Sequence, residues 1–196
     1  MSPRPLERSD SHAAATALAD AFAEDPAMCW AGGFDDGSTR LAPMWRAAIA
    51  RRFRHPEPVM WVTDDVGAVA LWDAPGYHAY TAGDALRSLP GIVRSFRWGV
   101  GRLVRLGNAM EAAHPSEPHY YLLAVGARRD RQGQGLGSTV LRPVLDRCDE
   151  EGVPAYLENS NPRNEPFYAR HGFEARDPLD LPEGAPPIVP MWRAPR

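Results

Sequence analysis

The chain has 196 residues, of which 44% are hydrophobic and 24% are charged, and its formal net charge is −3. This size and balance predict a single domain over residues 1–196 that buries a core without help from disulfides or metals. The acidic balance argues against a nucleic-acid partner, and the lack of a long apolar window argues against a membrane partner.

The two cysteines, Cys29 and Cys148, lie far apart and match no metal-ligand spacing. We therefore expect neither a metal site nor a disulfide framework. The first residues lack the basic start and apolar core of a secretory signal. A cytoplasmic location follows as the simplest expectation.

The spacing of apolar residues changes along the first half of the chain. Two segments repeat apolar residues at helical spacing, a Val- and Trp-rich stretch is divided by a turn, and a longer helical stripe follows. A strand before Ser11 would have to be short, and Pro90-Gly91 should break the longer helix. The predicted elements are helices over 11–22 and 39–53, a hairpin over 58–75 and a helical region over 84–110.

The second half begins with "HYYLLAVGA", the nearly all-apolar run of a strand that is buried on both faces. The glycine-rich stretch "RRDRQGQGLGSTVL" follows it at once and leads into a helix over 135–151. That helix contains Pro143, where we expect a bend or a compensated site. Two further strands, "PAYLENS" and "IVPMW", flank a short helix in "NEPFYARHGF".

A strand, a glycine loop and a helix in succession place free backbone N–H groups and the positive end of a helix dipole against an anion. A phosphate-binding Walker loop would need a lysine before Ser138, where Gly137 stands. A dinucleotide-binding fingerprint would need a third glycine at position 138. Both interpretations are therefore weakened.

The remaining pattern, Gln132-x-x-Gly135-x-Gly137, resembles the acetyl-CoA signature of the GNAT family of N-acetyltransferases. A second stretch, "LENSNPRNEPFYARHGF", is similar to the same family's motif B, and the resemblance is strong from Tyr120 to Phe173. The residues of these motifs are most similar to those of the puromycin N-acetyltransferase-like branch. The resemblance implies an α/β fold in which helices flank a mixed, mostly antiparallel central sheet, with a V-shaped splay between two parallel strands.

The same resemblance implies acetyl-CoA as co-substrate. Its pantetheine arm would lie along the parted strand and its pyrophosphate on the glycine loop, with Arg128, Arg129 and Arg131 as candidate partners of the remaining phosphate. Asn161 and Asn164 are alternative contacts to the pantetheine arm, either of which could instead be a helix cap. The cofactor-binding residues are expected to be Leu123, Ala124, Val125, Arg131, Gln132, Gly133, Gln134, Gly135, Leu136, Gly137, Ser138, Asn161 and Asn164.

For catalysis, the motif-B tyrosine, Tyr168, would be the general acid that protonates the sulfur of the leaving thiolate. An alkyl ammonium must first lose a proton, and His119 and Glu158 are the two candidates for the base. An apolar acceptor pocket would be lined by aromatic side chains. Those expected to bind the acceptor are Trp72 and Tyr77, with Trp45, Trp61 and Tyr80 as further candidates.

The branch implies a small-molecule amine as acceptor. An enzyme that acts on protein amines and a CoA-binding module without turnover remain as alternatives, and a homodimer stays open. A nucleic-acid role would rest only on the arginines of the 84–110 region, and the acidic net charge argues against it.

Overall fold

The computed structural model describes residues 2–77 and 81–196. The described strands form one sheet of seven in the order β1-β2-β3-β4-β5-β7-β6. The strands are β1 (Pro3–Pro5), β2 (Met60–Thr63), β3 (Ala68–Asp73), β4 (Tyr120–Ala127), β5 (Ala155–Asn159), β6 (Glu174–Ala175) and β7 (Val189–Arg193). The helices are α1 (Ser11–Ala21), α2 (Pro26–Gly32), α3 (Ala42–Arg52), α4 (Ala82–Phe96), α5 (Val100–Ala113), α6 (Leu136–Glu151) and α7 (Glu165–Arg170).

The sheet is mixed. Strands β4 and β5 run parallel, and every other neighbouring pair is antiparallel. Helix α6 covers one face with a core that includes Val140, Leu141 and Val144, while α1 and α3 cover the other face around Leu18 and Ile49. The predicted fold class is confirmed, and among the described residues no helix is long and apolar enough to span a bilayer.

The helix α2 is absent from the sequence prediction. Asp25 caps it by accepting a hydrogen bond from the backbone N–H of Met28 at 3.0 Å, and Pro26 occupies the first turn. The helix ends at Gly33, whose φ of +62° suits glycine. With only seven residues, α2 is too short to display a helical period.

The predicted break near Pro90-Gly91 is wrong. Helix α4 runs through Pro90, which has no N–H to donate to the carbonyl of Leu86. Pro90 and Leu86 both lie on the exposed side of the helix. The break comes instead at Arg97, where φ is +51°. A Cβ on nearby Gly99 would lie 2.0 Å from the carbonyl oxygen of Ala31, so contact with α2 fixes the break. Helix α6 likewise contains a proline, Pro143, and continues past it without interruption.

Candidate active site

The strands β4 and β5 separate soon after they meet. Only Tyr120 with Ala155 and Tyr121 with Tyr156 are in register, and no pair follows. On the other side of β4 the register with β3 shifts by one residue at Leu123, which forms a bulge. The backbone groups that β4 turns toward β5 beyond Tyr121 therefore have no strand partner, which leaves them available to a ligand.

A groove of about 620 Å³ opens where the strands part, and we call it the glycine-loop groove. Gly133 and Gly135 both have a φ of +76°, and a Cβ at either position would meet no atom within 4 Å. The loop therefore needs glycine for its backbone conformation and leaves open space in front of it. Of the predicted cofactor residues, the groove is lined by Val125, Arg131, Gln132, Gly133, Gly135, Leu136, Gly137, Ser138, Asn161 and Asn164.

The remaining predicted cofactor residues lie elsewhere. Gln134 is absent from the wall of this groove, and its side-chain oxygen accepts a hydrogen bond from Arg131 at 3.2 Å. Leu123 and Ala124 line a second cavity farther along the gap. Ser138, which does line the glycine-loop groove, makes a 2.9 Å contact through its Oγ to Nε2 of His171, the residue that follows α7.

The arginines of the loop are largely engaged with carboxylates. Arg129 contacts Asp20 at 3.0 Å, Glu24 at 3.1 Å and Asp36 at 3.3 Å. Two further pairs join Arg128 to Asp130 and Arg131 to Asp65. These contacts fasten the loop to α1 and to the β2–β3 turn.

Two other arginines, Arg163 and Arg170, also line the glycine-loop groove, and sequence reasoning missed both. Arg170 lies over the ring of Phe167 at 5.7 Å. Within the described ranges, Arg163 makes no ion pair that would compete for its charge. Arg163 is therefore a candidate partner for a phosphate in this groove.

The second cavity, which we call the inner cavity, has a volume of about 360 Å³ and lies between the sheet and helices α2 to α5. Its walls are mainly apolar, and a few polar groups reach it. Trp45 is among them, and its indole N–H has no hydrogen-bond partner among the described residues. The apolar side chains of the wall include Phe22, Met28, Met44, Trp45, Ile92, Leu103, Leu106, Met110, Leu123, Val125, Leu157 and Ile188.

The two cavities meet at four residues that belong to both walls: Phe22, Val125, Asn164 and Tyr168. Tyr168 is 8% exposed. Burial, with a smaller contribution from the nearby charge of Asp25, raises the pKa of the Tyr168 hydroxyl well above its ordinary value. Near neutral pH this phenol therefore keeps its proton.

Asp25 is a buried acid that the sequence did not indicate as part of the site. One of its carboxylate oxygens accepts the cap bond from Met28, and the other accepts a hydrogen bond from the hydroxyl of Ser160 at 2.5 Å. Burial raises the pKa of the Asp25 carboxyl. It lines the glycine-loop groove beside Tyr168.

Both base candidates are buried, but only one reaches the inner cavity. Glu158 lies in its wall with a side chain that is 1% exposed, and by distance and angle neither carboxylate oxygen accepts a hydrogen bond from a described residue. His119 is absent from that wall. Between them stands His114, at the C-terminal end of α5, which sequence reasoning missed because its position depends on how α5 packs.

The hydroxyls of Tyr121 and Tyr156 face the Glu158 carboxylate. Burial first, and then the nearby charge of Glu158, raises the pKa of both phenols well above the ordinary value. Both therefore stay protonated and neutral.

The acceptor residues predicted from the aromatic content need correction. Trp72 is 1% exposed and packs in the α6-side core, because its strand position directs it away from the inner cavity. Tyr77 is held by Arg51, which lies over its ring at 4.6 Å, and its hydroxyl donates to the Arg51 carbonyl at 3.0 Å. Neither side chain lines the inner cavity, and neither does Trp61. Tyr80 lies outside the described residues.

A buried charge cluster closes the far end of the inner cavity. One oxygen of Asp73 accepts hydrogen bonds from Arg52 at 2.8 Å and Arg51 at 3.3 Å, while its second oxygen has no partner among the described residues. Arg51 also contacts Asp84 at 3.6 Å. The cluster joins α3, β3 and α4, so it fixes the shape of this end of the cavity.

The fold and the junction of two cavities define a class of protein. Residues 19–173 match the acetyltransferase (GNAT) family, and the chain belongs to this family of enzymes. The resemblance to the puromycin-type branch is not confirmed. One relative is an uncharacterized N-acetyltransferase of Schizosaccharomyces pombe, 25% identical over 185 residues, which cover 88% of this chain and 74% of the relative.

Solved structures agree with the fold. A protein of Corynebacterium glutamicum described as histone acetyltransferase HPA2 and related acetyltransferase has a TM-score of 0.72, with 26% identity over 100% of this chain and 96% of its own. An arylalkylamine N-acetyltransferase of Aedes aegypti has a TM-score of 0.69 with 10% identity, over 99% of this chain and 98% of its own. An agmatine N-acetyltransferase has a TM-score of 0.67 with 13% identity, over 98% of each chain. At these lower identities the likeness concerns the fold alone.

Proposed function

We propose that this enzyme transfers the acetyl group of acetyl-CoA to a primary amine of a small molecule by direct attack, with Tyr168 as the general acid. The observation that carries the proposal is the position of Tyr168 at the junction of the glycine-loop groove and the inner cavity. A group that protonates a leaving thiolate must touch the thioester, and the attacking amine must arrive from the other side.

The glycine-loop groove fits acetyl-CoA by its chemistry. Backbone N–H groups of the loop and of the first turn of α6 can hold a pyrophosphate, since two glycines there leave open space. The unpaired edge of β4 offers N–H and C=O groups to a ligand that carries amides. The co-substrate would supply an activated acetyl group, and Tyr168 would hold the proton that the departing sulfur needs.

The inner cavity favours a small acceptor. A volume of about 360 Å³ is in the range of sites for small ligands, and its walls lie within the fold, between the sheet and helices α2 to α5. Its apolar walls favour an amine with an alkyl or aromatic body. Glu158 would be the base that removes a proton from the ammonium, because its buried carboxylate lies in the wall of this cavity. The structural neighbours that are described as acting on arylalkylamines and agmatine agree with such an acceptor.

The test incubates the purified enzyme with acetyl-CoA and a panel of amines, and follows both the gain of one acetyl group by mass and the release of thiol. The panel contains arylalkylamines, agmatine, linear polyamines, an aminonucleoside and a lysine peptide. Acetylation of a small amine supports the proposal. Acetylation of the peptide alone would instead indicate a protein acetyltransferase. Tight acetyl-CoA binding by calorimetry, without thiol release for any amine, would indicate a binding module.

A further inference from the structure

A row of three buried groups leads away from the inner cavity: the carboxylate of Glu158, the ring of His114 and the ring of His119. Oε1 of Glu158 lies 3.6 Å from Nδ1 of His114. Nε2 of His114 lies 3.1 Å from Nε2 of His119, and Nδ1 of His119 lies 2.6 Å from the carbonyl oxygen of Glu117.

The carbonyl at the end of this row fixes where the protons lie. A carbonyl oxygen only accepts, so Nδ1 of His119 must carry a proton and donate it. When His119 is neutral, its Nε2 is therefore an acceptor. The 3.1 Å contact then requires Nε2 of His114 to carry a proton and donate it.

This tautomer leaves Nδ1 of a neutral His114 without a proton. A neutral His114 with its proton on Nε2 presents the lone pair of Nδ1 toward Glu158. A lone pair and a carboxylate oxygen attract each other only when a proton lies between them. Oε1 of Glu158 and Nδ1 of His114 therefore form a site at the wall of the inner cavity that can accept a single proton.

We propose that Glu158 and His114 act together as the base of the reaction, and that His119 is a positioning residue that sets the tautomer of His114. This inference rests on the proposed function. The ammonium of the acceptor loses one proton to the Glu158 carboxylate, and that proton comes to lie between Oε1 and Nδ1. The amine becomes neutral and the pair loses its net negative charge, so the charges balance.

Aromatic rings hold both imidazoles in the required orientation. The ring of His114 meets those of Tyr121 and Tyr156 edge-on at 4.9 and 5.2 Å, and that of His119 packs against Tyr156 at 5.3 Å and Trp192 at 5.7 Å. These contacts on several sides restrict the rotation that would exchange the two nitrogens of each ring. Among the described residues, the other ionisable groups around this row include Tyr121, Tyr156, Asp73, Arg52, Glu111 and Arg176.

The first test needs no substrate. Nitrogen-15 NMR of the histidine side chains, recorded about two pH units above the ordinary imidazole pKa of about 6.5, reads the tautomer of each ring. We expect the proton of His119 on Nδ1 and that of His114 on Nε2. The opposite tautomer at either ring would overturn the proposal whether or not an acceptor amine has been found.

The second test uses an acceptor that the enzyme acetylates. His114→Gln should lower kcat/KM about a hundredfold near neutral pH and His119→Gln about tenfold, both with an unchanged KM for acetyl-CoA. The loss should shrink as the pH rises, because more of the amine is then neutral in solution. The control is His12→Gln, which changes an exposed histidine of α1 and should leave kcat/KM unchanged.

Wild-type kcat/KM in His114→Gln, or a loss that is the same at every pH, would refute the role of His114. Failure of the wild-type enzyme to acetylate any amine would refute the proposed function instead. The tautomers would still report on the row of histidines.

Discussion

Asn164 and Tyr168 stand about one helical turn apart at the start of α7, and both line the glycine-loop groove and the inner cavity. The side chain of Asn164 makes no cap hydrogen bond, whereas that of Asn161 accepts one from the backbone N–H of Arg163 at 3.2 Å. Asn161 is thus used as a cap and Asn164 is left for a ligand. The geometry favours Asn164 of the two asparagines that the sequence offered.

Tyr168→Phe is expected to lower kcat about a hundredfold and to leave acetyl-CoA affinity nearly unchanged. The substitution removes only the hydroxyl that would protonate the sulfur, and the ring keeps its packing beside Phe173. Steady-state kinetics with a small amine, together with calorimetry for acetyl-CoA, measures both quantities. Wild-type kcat in the variant would exclude Tyr168 as the general acid.

Gly135→Val is expected to abolish measurable acetyl-CoA binding. The new side chain would fill the space in front of the loop and would strain a backbone with a φ of +76°. Gly152→Val is the matched control, because Gly152 has a φ of +67° and equally open surroundings at the far end of α6. The control should lose stability to a similar degree and still bind acetyl-CoA. Equal affinities in the two variants would contradict the assignment of the loop.

Arg163→Gln is expected to weaken acetyl-CoA binding about tenfold, with a smaller effect at high salt. A charge-assisted hydrogen bond to a phosphate contributes about 1.5–3 kcal/mol, and exposure reduces this contribution. Arg129→Gln should have a weaker effect, since three carboxylates already share its charge. Arg142→Gln, an exposed change on α6 outside the groove wall, controls for net charge. A stronger effect in Arg129→Gln than in Arg163→Gln would reverse this assignment.

Asp84→Asn is expected to destabilise the fold by about 2 kcal/mol at neutral pH. Burial acts to raise the pKa of Asp84, but hydrogen bonds from Arg54 and Thr81 outweigh it and lower the pKa to about 2, from 3.8. A lowered pKa stabilises the folded state above pH 3.8, and this contribution is lost as the pH falls toward 2. Urea denaturation at several pH values should show the difference shrinking over that interval.

The control for this prediction is Asp130→Asn. It breaks an ion pair with Arg128 in which the aspartate side chain is 58% exposed, and such pairs contribute little. A loss that is independent of pH in Asp84→Asn, or an equal loss in the control, would contradict the interpretation.

The sequence predicts the parts of this site that are carried by consecutive residues. The parted strand, the glycine loop and the start of α6 form one uninterrupted stretch, so their order and spacing are visible in the chain. The parallel pair of β4 and β5 and the short β1 are likewise confirmed. The glycine loop is visible as a local pattern, whereas the parallel pair and the short first strand are implied by the resemblance to the GNAT family.

The groups that depend on packing between distant elements are not visible in the same way. His114 meets Glu158 only because α5 ends beside β5, and Asp25 reaches Ser160 across 135 positions of sequence. Trp72 was assigned to the acceptor pocket by residue type, and only the strand register shows which face of the sheet it occupies. Residue type suggests chemistry, whereas the tertiary arrangement decides which residues share a cavity.

Strands β4 and β5 pair at only two positions, Tyr120 and Tyr121 of β4, and beyond these positions the two parts of the sheet are separate. A ligand that bonds to both edges beyond these positions takes the place of a missing strand and completes the ladder between the two parts. Such a ligand stabilises the native state in proportion to its affinity and concentration. The gap between β4 and β5 would therefore be closed by the hydrogen bonds of the ligand.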